Sequence, residues 1–271
     1  MNKRILIFGK GYFGKRLQEG LNCPITGKRI RCIRDAQKEI DKYRPRIIIN
    51  CIGHIGRNVD DCEINPDETL FANSFVPVIL AEVAIRNKLK MVHLSTGCIY
   101  HFDYKKNKPI KEQDAPDFFD LFYSRTKIYA ERALEILSRQ FNILIVRPRV
   151  PLDDSPHPKN LLTKLLSFKA VINLPNSVTY IPDFIAAIKH LIKIDASGIY
   201  NVVNKGALRY PAILEVYKKY SPHLQYKVID FKKLKLKRTN IILSTDKLQG
   251  SGFKVRDINK VLKECVENYL K

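Results

Sequence analysis

A glycine pattern directly after an apolar run constrains the fold of this chain more than any other feature. The run Ile5–Phe8 has the β-branched and aromatic composition of a strand. The pattern that follows it is G-x-G-x-x-G, formed by Gly9, Gly11 and Gly14. Apolar residues then recur at helical spacing, namely Phe13, Leu17 and Leu21. The order of strand, glycine turn and helix predicts a βα unit in which the backbone of the turn stays open to a ligand.

The first two-thirds of the chain continues this alternation of strands and helices. The strand candidates are Arg4–Phe8, Arg46–Ile52, Lys90–Ser95 and Asn142–Arg147. Further helical faces are formed by Ala36, Ile40 and Tyr43, by Phe75, Ile79 and Val83, and by Ala130, Leu134 and Leu137 in a helix predicted from Tyr123 to Arg139. Repeated βαβ units predict an α/β fold with a Rossmann-type, doubly wound parallel sheet.

The pattern changes after Arg147, where prolines interrupt the apolar periodicity. These prolines are Pro148, Pro151, Pro156, Pro158 and Pro175. A loop-rich segment of this kind predicts a smaller C-terminal substrate-binding lobe. We expect a cofactor-binding domain over residues 1–148 and a substrate-binding region over residues 149–271, with residues 177–204 returning to the first domain. Later elements are predicted at Phe184–Ile194, Ile199–Val203, Pro211–Tyr220 and Tyr226–Ile229, before a terminal helix.

The charge balance narrows the classes of partner. With 48 Lys and Arg against 27 Asp and Glu, the net charge is +21, which attracts nucleic acid, acidic lipid or phosphorylated small molecules. One local basic run consists of Lys232, Lys233, Lys235, Lys237 and Arg238. No nucleic-acid-binding motif accompanies this run, so we do not expect nucleic acid to be the main ligand.

Cysteine spacing and hydropathy exclude other classes. The six cysteines lack paired spacing and no histidine cluster accompanies them, so we expect reduced thiols and no metal. No apolar run approaches the roughly 20 residues that cross a bilayer, and the first strand is too short for a signal peptide. We expect a soluble, cytoplasmic protein with no membrane partner.

The glycine turn predicts a dinucleotide cofactor, with an ordinary glycine-rich turn as the alternative. A pyrophosphate would be held by the amides and the dipole at the helix N-terminus. The second βα unit then ends in Lys28 and Arg29 without an acid, which favours NADP(H) over NAD(H), because a base binds the extra ribose phosphate; a solvated basic turn is the alternative. Asp35 contacts the adenine or caps the next helix. The predicted cofactor set also includes Tyr12, Phe13, Cys51, Gly53, Tyr123 and Lys127.

A tyrosine and a lysine are spaced for joint acid–base chemistry. Tyr123 and Lys127 stand one helical turn apart, and an adjacent cation lowers the pKa of a phenol from its ordinary value of about 10. The strand ending at Ser95 delivers the next residues into the same cleft, with Ser95 itself expected to be buried. Thr96 is a candidate to bind a ketone. Cys98 is either a small buried cysteine or, because a thiol has a pKa of about 8.5, a group that exchanges protons with carbon.

On these residues the chain resembles the extended short-chain dehydrogenase/reductases of the RmlD-like kind, and within them the bifunctional UDP-4-keto-6-deoxyglucose 3,5-epimerase/4-reductases of UDP-rhamnose synthesis. The matching segments, which run along nearly the whole chain, are Asn58–Glu63, Ser95–Tyr100, Phe122–Lys127, Pro158–Lys164, Leu174–Thr179, Arg238–Asn240 and Asp246–Leu248. The stretches around Cys98 and from Asn160 to Thr179 are the specific ones. The glycine pattern is one residue shorter than the usual G-x-x-G-x-x-G of the family, and Val150 replaces a methionine, departures that remove no catalytic residue.

The resemblance implies NADPH-dependent conversion of a nucleotide-linked 4-keto-6-deoxyhexose to a deoxyhexose such as rhamnose. Cys98 and Lys164 would exchange protons at the carbons beside the ketone, and Thr96, Tyr123 and Lys127 would carry the reduction. The implied nucleotide-binding residues are Asn160, Asn176 and Arg238, with Arg147 and Arg149 as phosphate ligands or partners of nearby acids. The implied partners are a UDP- or dTDP-linked sugar, an upstream 4,6-dehydratase, and a second copy of the chain bound through the helix that carries Tyr123.

Two other functions stay open on the sequence. One is a plain 4-ketoreductase resembling dTDP-4-dehydrorhamnose reductase, without epimerase activity, and Cys98 is the residue that argues against it. The other is a catalytically silent, NADP-binding regulatory subunit. Retention of Thr96, Cys98, Tyr123 and Lys127 argues against that second reading.

Overall fold

The computed structural model describes residues 4–106, 108–233 and 237–271, so Lys235 of the basic run lies outside the described residues. The strands and helices, in chain order, are β1 (Ile5–Phe8), α1 (Tyr12–Leu21), β2 (Ile25–Thr26), α2 (Ile33–Tyr43), β3 (Ile47–Asn50), α3 (Asp61–Ile64), α4 (Pro66–Leu70), a π-helical turn (Phe71–Phe75), α5 (Val76–Arg86), β4 (Lys90–Leu94), α6 (Phe122–Ser138), β5 (Ile143–Arg147), β6 (Val150–Leu152), α7 (Leu161–Ser167), β7 (Ala170–Ile172), β8 (Val178–Tyr180), α8 (Ile181–Lys193), β9 (Gly198–Asn201), α9 (Tyr210–Lys218), β10 (Lys227–Ile229), α10 (Asp246–Gly250) and α11 (Ile258–Tyr269).

The chain divides into two compact units. The first consists of Met1–Ile99, Pro116–Arg147 and Lys189–Tyr200, and the second of Tyr100–Ala115, Pro148–Ile188 and Asn201–Lys271. This division differs from the predicted one in two places. The segment Tyr100–Ala115 groups with the second unit, and the returning segment is limited to Lys189–Tyr200.

A six-stranded sheet forms the centre of the first unit. Its strand order is β2-β1-β3-β4-β5-β9, and the pairs from β2 through β5 are parallel. The chain runs from β1 outward to β2 and then returns to β3 on the other side of β1. This reversal makes the carboxyl ends of β1 and β3 the place where a ligand binds in doubly wound sheets. The predicted α/β fold with a parallel sheet is confirmed.

The core of the first unit lies between the sheet and its helices. Leu6, Ile48 and Ile145 of the sheet pack with Leu80 and Ala84 of α5, all buried. The prediction for this helix was wrong at one residue. Phe75 is 53% exposed, because it ends a π-helical turn, which carries more residues per turn than the α-helical spacing assumes.

The helical stretch Pro66–Arg86 is the one candidate membrane span found among the described residues. It has 21 residues, a mean hydropathy of 1.5 in its most apolar window, and 56% of that window is buried. No apolar run of this length was expected from the sequence. Its length and composition are also those of a core helix, and Val76, Leu80 and Ala81 contribute to the core described above.

The second unit has two small sheets and its own core. The parallel pairs are β6 with β8 and β7 with β10. The predicted terminal helix is α11, and its residues Ile258, Val261, Leu262 and Cys265 are buried. They pack in one cluster with Leu161, Leu162 and Leu165 of α7. This packing positions α7, which carries Lys164.

Candidate active site

The glycine turn after β1 is built so that side chains are excluded from it. Gly9 has a φ of +104°, and a Cβ there would lie 2.8 Å from the backbone nitrogen of Ile52. A Cβ on Gly14 would lie 1.9 Å from the carbonyl oxygen of Gly9. At Gly11, the N-cap of α1, a Cβ would meet nothing within 4 Å. The turn is therefore tight at its two ends and open at the helix N-terminus, which is the geometry that fits a pyrophosphate.

The basic turn after β2 is exposed and already carries an ion pair. Arg29 forms a salt bridge with Glu68 of α4, and both side chains are largely solvent-accessible. The backbone N–H of Lys28 donates to Thr26 Oγ1 at 3.1 Å, which shapes the turn. Glu68 was not predicted, because a contact over 39 positions leaves no signal in the local sequence.

Asp35 caps helix α2. Its carboxylate accepts from the backbone N–H groups of Arg31 at 2.9 Å and Cys32 at 3.3 Å, and these hydrogen bonds, led by that of Arg31, lower its pKa. The capping alternative of the sequence analysis is thus realised in the structure.

The loop after β3 is tied to helix α6 by a buried asparagine that was not predicted from the sequence. Asn73 accepts from the backbone N–H of His54 at 2.7 Å, and its amide donates to His54 O at 3.0 Å and to Thr126 Oγ1 at 3.2 Å. A Cβ on Gly53 would lie 3.2 Å from the same amide oxygen. Cys51 sits half-buried in this loop, and burial raises the pKa of its thiol. A polar residue within an apolar helix was the signal available for Asn73.

The end of β4 and the start of α6 hold the proposed catalytic side chains in the first unit. Thr96 Oγ1 accepts from the backbone N–H of Cys98 at 3.0 Å, and Ser124 Oγ donates to Cys98 O at 2.6 Å. Cys98 is half-buried between these anchors. Tyr123 lies in the first turn of α6, whose first N–H, that of Phe122, donates to Glu63 at 2.7 Å.

Lys127 lies one turn after Tyr123 and is 4% exposed. Its Nζ donates to Leu94 O at 2.8 Å, at the last residue of β4. Burial lowers the pKa of Lys127 to about 8, and the charges of Glu131, Cys51 and Cys98 act in the opposite direction. His93 beside it is fully buried, and burial together with Lys127 holds its pKa well below the ordinary value. The lysine is thus poised to change charge close to neutral pH.

Arg147 pairs with an acid, which is the second of the two roles considered for it. Its Nε donates to Glu131 Oε1 at 3.0 Å, and both residues are at most 2% exposed. Ser95, which is buried as expected, donates to the other oxygen of Glu131.

Lys164 in the second unit is a half-buried lysine on α7. Burial lowers its pKa, and the cations of Lys159 and Arg238 add to the effect. Asn160 is the N-cap of α7 and is fully buried. Its amide accepts from Asp153 N and Leu162 N, both at 3.1 Å, and donates to Asp153 O and Ser155 O, both at 2.9 Å.

The remaining nucleotide-binding candidates hold the segment Arg238–Asn240. Asn176 is buried and donates to Asn240 Oδ1 at 3.3 Å, while Arg149 donates to Thr239 Oγ1 at 2.9 Å and to the carbonyl of the same residue. Arg238 donates to Lys237 O at 2.7 Å. Among the residues that the structure describes, no group of three metal-ligating side chains is found.

A parallel sheet with an open glycine turn, and a half-buried Tyr123 and a buried Lys127 on the helix that bonds to the end of β4, define a Rossmann-type dehydrogenase/reductase. The model of the RmlD substrate binding domain matches residues 28–270, and the chain belongs to this family. The bifunctional dTDP-4-dehydrorhamnose 3,5-epimerase/dTDP-4-dehydrorhamnose reductase of Arabidopsis thaliana is 31% identical over 79% of this chain and 74% of its own length.

Three further proteins extend this result. A trifunctional UDP-glucose 4,6-dehydratase/UDP-4-keto-6-deoxy-D-glucose 3,5-epimerase/UDP-4-keto-L-rhamnose-reductase of the same plant is 32% identical over 80% of this chain, which spans 34% of that relative. The crystal structure of the L780 UDP-rhamnose synthase from Acanthamoeba polyphaga mimivirus superposes with a TM-score of 0.89 at 26% identity, covering 97% of this chain and 98% of that one. The NADP complex of dTDP-4-dehydrorhamnose reductase from Bacillus anthracis, at 21% identity and a TM-score of 0.81, covers 96% of this chain and 97% of that one and shares the fold.

Proposed function

We propose that the chain reduces the ketone of a nucleotide-linked 4-keto-6-deoxyhexose with NADPH, and that it also epimerises the carbons beside that ketone. The observation that carries the proposal is the placement of Tyr123 and Lys127 one turn apart on α6, with the lysine buried against Leu94 O. The names of the plant relative and the viral synthase support the substrate class.

Gly9, Gly11 and Gly14, with Tyr12 and Phe13 between them, would hold the pyrophosphate of the cofactor at the N-terminus of α1. Lys28 and Arg29 would bind the ribose phosphate that distinguishes NADPH from NADH. To do so, Arg29 must break its salt bridge with Glu68 and pair with the phosphate instead. Cys51 and Gly53 would line the path of the cofactor after β3. When bound, NADPH supplies the hydride for the ketone carbon.

In the reduction, the phenol of Tyr123 donates its proton to the ketone oxygen. The ammonium of Lys127 stabilises the resulting phenolate, since an opposite charge nearby favours the ionised form. The hydroxyl of Thr96 accepts from Cys98 N, which leaves its own proton for a hydrogen bond to the same ketone oxygen. Together these three side chains stabilise the charge that develops on that oxygen.

In the epimerisation, one of Cys98 and Lys164 takes a proton from a carbon beside the ketone and the other returns a proton to the opposite face. A ketone makes such protons acidic because the charge passes to its oxygen. The lowered pKa of Lys164 supports a role as base, since more of its amine is neutral near pH 7. Two hydrogen bonds around Cys98 fix its backbone for this step.

Substrate recognition falls in this proposal to the second unit. Arg238 would bind the diphosphate, and Asn160, Asn176 and Arg149 would act by shaping the segments that carry Lys164 and Arg238, because their amides and guanidinium already bond to those segments. UDP is the proposed nucleotide, with dTDP as the alternative. A 4,6-dehydratase would supply the keto sugar.

We also propose a homodimer formed through α6. Tyr129 is 47% and Ile136 is 63% exposed, and both lie on this helix. Light scattering on the purified chain tests the mass, and charged substitutions at Tyr129 and Ile136 should yield a monomer.

The decisive experiment supplies the purified chain with NADPH and UDP-4-keto-6-deoxyglucose and identifies the product by NMR. We expect loss of NADPH absorbance and formation of UDP-rhamnose without a separate epimerase. A 4-reduced sugar with unchanged flanking carbons would reject the epimerase step alone. Binding of NADPH without turnover of either the UDP- or the dTDP-linked sugar would reject the reductase and favour the silent subunit.

A further inference from the structure

A buried carboxylate lies beneath the proposed catalytic pair. Glu131 follows Lys127 by four residues and Tyr123 by eight, so the three side chains share one face of α6. Glu131 is 2% exposed, Ser95 6% and Arg147 1%. We refer to Ser95, Glu131 and Arg147 as the buried brace.

The brace connects the catalytic helix to two strand ends. Ser95 donates to one carboxylate oxygen of Glu131, and Arg147 donates through Nε at 3.0 Å and through Nη2 to the other. The backbone N–H of Ser95 donates in turn to Val146 O at 2.8 Å, which joins β4 to β5. Lys127 binds Leu94 O, the residue directly before Ser95. Lys127 and Glu131 therefore form hydrogen bonds with two consecutive residues, Leu94 and Ser95, at the end of β4.

An ion pair is an expensive way to join a helix to a sheet. Charged groups lose hydration on burial, and apolar side chains of similar volume often hold a core at least as well. The brace has one feature that an apolar cluster lacks, which is a negative charge one turn from a buried ammonium. Without the carboxylate of Glu131, the two remaining charged side chains, Lys127 and Arg147, would both be cations.

The surroundings of Lys127 show what that charge does. The titratable groups that act on it are Glu131 of the same helix, Cys51 after β3 and Cys98 after β4, and Lys127 in turn lowers the pKa of His93 of β4. Among these groups, Glu131 favours the protonated lysine most strongly. Its charge opposes the effect of burial, which favours the neutral lysine. His93 is buried and stays neutral near pH 7, so it contributes no second cation that would disfavour the charged lysine.

We propose that Glu131 is a positioning residue for the reduction: held by Ser95 and Arg147, it keeps Lys127 charged and directed at Leu94 O while Tyr123 gives up its proton. The inference rests on the proposed reductase function. Glu131 touches neither substrate nor cofactor in this role and acts only through Lys127.

The test needs variants that still fold. Glu131→Gln alone leaves the Arg147 guanidinium buried without an anion, so the main variant is the double substitution Glu131→Gln with Arg147→Met, which removes both charges. Glu131→Asp is the second variant, because it retains a carboxylate but draws it back by one methylene. The matched control is Lys90→Met with Asp195→Asn, which removes an ion pair of 2.9 Å at the other end of β4.

Two readouts separate positioning from structure. The first is the titration of the Lys127 side chain, followed by isotope-edited NMR of the cofactor-free protein and assigned with Lys127→Met. We expect it to move to lower pH by about one unit in the double variant and less in Glu131→Asp. The second is the pH profile of NADPH-dependent reduction. We expect kcat to fall about tenfold with KM little changed, and the alkaline limb to move down with the titration.

The control pair should lose stability while both readouts stay as in the unsubstituted chain. Folded brace variants, either the double variant or Glu131→Asp, with an unchanged Lys127 titration and pH profile would overturn the proposal and leave Glu131 a structural residue. If the unsubstituted chain shows no reductase activity, the proposed function fails, and the Lys127 titration still decides whether Glu131 controls that lysine.

Discussion

The ammonium of Lys127 donates a 2.8 Å hydrogen bond to the carbonyl oxygen of Leu94, which fixes helix α6 to the last residue of strand β4. This bond places Tyr123, one turn earlier, beside the residues that follow the strand. Lys127 is buried at this position. The hydrogen bond thus aligns the pair, and the burial of the ammonium lowers the pKa of the lysine.

That pKa of about 8 predicts an alkaline limb in the rate of reduction. In the proposed mechanism the reduction uses the charged ammonium, so kcat/KM should be constant well below pH 8 and fall as Lys127 loses its proton above it. Lys127→Met should be slower by about 10²–10⁴ and lack this limb. The measurement is the initial rate of NADPH oxidation between pH 6 and pH 10; a limb that persists in Lys127→Met would assign it to another group.

Tyr123→Phe removes the proposed proton donor without changing the ring. We expect kcat to fall by about 10²–10⁴ while the affinity for NADPH stays within a small factor. Tyr129→Phe is the matched control, because Tyr129 lies on the same helix and is 47% exposed. Retention of more than a tenth of the activity in Tyr123→Phe would remove this residue from the mechanism.

Substitution of two glycines in the turn should have different effects, a loss of stability at Gly14 and a loss of NADPH affinity at Gly11. A Cβ at Gly14 meets Gly9 O at 1.9 Å, so Gly14→Ala should lower the melting temperature even without cofactor. A Cβ at Gly11 meets nothing within 4 Å, so Gly11→Ala should fold normally and weaken NADPH binding by about tenfold or more, because the methyl group stands where the pyrophosphate approaches. Thermal melts and fluorescence titration with NADPH separate the two effects. Normal NADPH affinity in Gly11→Ala would place the pyrophosphate elsewhere.

The salt bridge between Arg29 and Glu68 predicts that substitution of Glu68 increases the affinity for NADPH. Glu68→Gln frees the guanidinium from its partner and should tighten NADPH binding by up to about fivefold, since an exposed ion pair contributes about 1 kcal/mol at most. NADH lacks the phosphate and should bind as before. Arg29→Ala should reverse the preference between the two cofactors. Equal changes for NADPH and NADH in Glu68→Gln would contradict the role of Arg29.

Local patterns were sufficient to predict the sheet of the first unit and its best-defined motifs. Strands β1, β3 and β5 are mainly apolar runs, β4 is apolar at Met91, Val92 and Leu94, and the glycine turn and the Tyr123/Lys127 spacing are readable over a few residues. Strand β2 has only two residues, and β6 contains Pro151, so neither produces a periodic signal. Strands β7 and β8 were not predicted either, because three residues are too few to show a periodic pattern.

The site residues that sequence reasoning missed depend on contacts between distant segments. Asn73 joins positions 19 and 53 residues away, and it reaches them from a π-helical turn that α-helical spacing does not anticipate. Glu131 has the right spacing from Lys127, yet its burial follows only from the position of Arg147 on β5. Asn160 and Asn176 were predicted from the resemblance, as residues that bind the nucleotide. In the structure, each amide instead forms hydrogen bonds with the backbone or side chains of its own unit.

Cys98→Ala tests whether epimerisation takes place in this chain. In deuterated water with the 4-keto sugar, the unsubstituted protein should exchange the protons beside the ketone, and the variant should lose this exchange by about 10²-fold while binding NADPH normally. Lys164→Met should show a comparable loss. Cys32→Ala is the control, because Cys32 is an exposed cysteine outside the proposed machinery. Unchanged exchange in Cys98→Ala would exclude Cys98 as the exchanging group. Absence of exchange in the unsubstituted chain, with ketone reduction intact, would leave a reductase that depends on a separate epimerase.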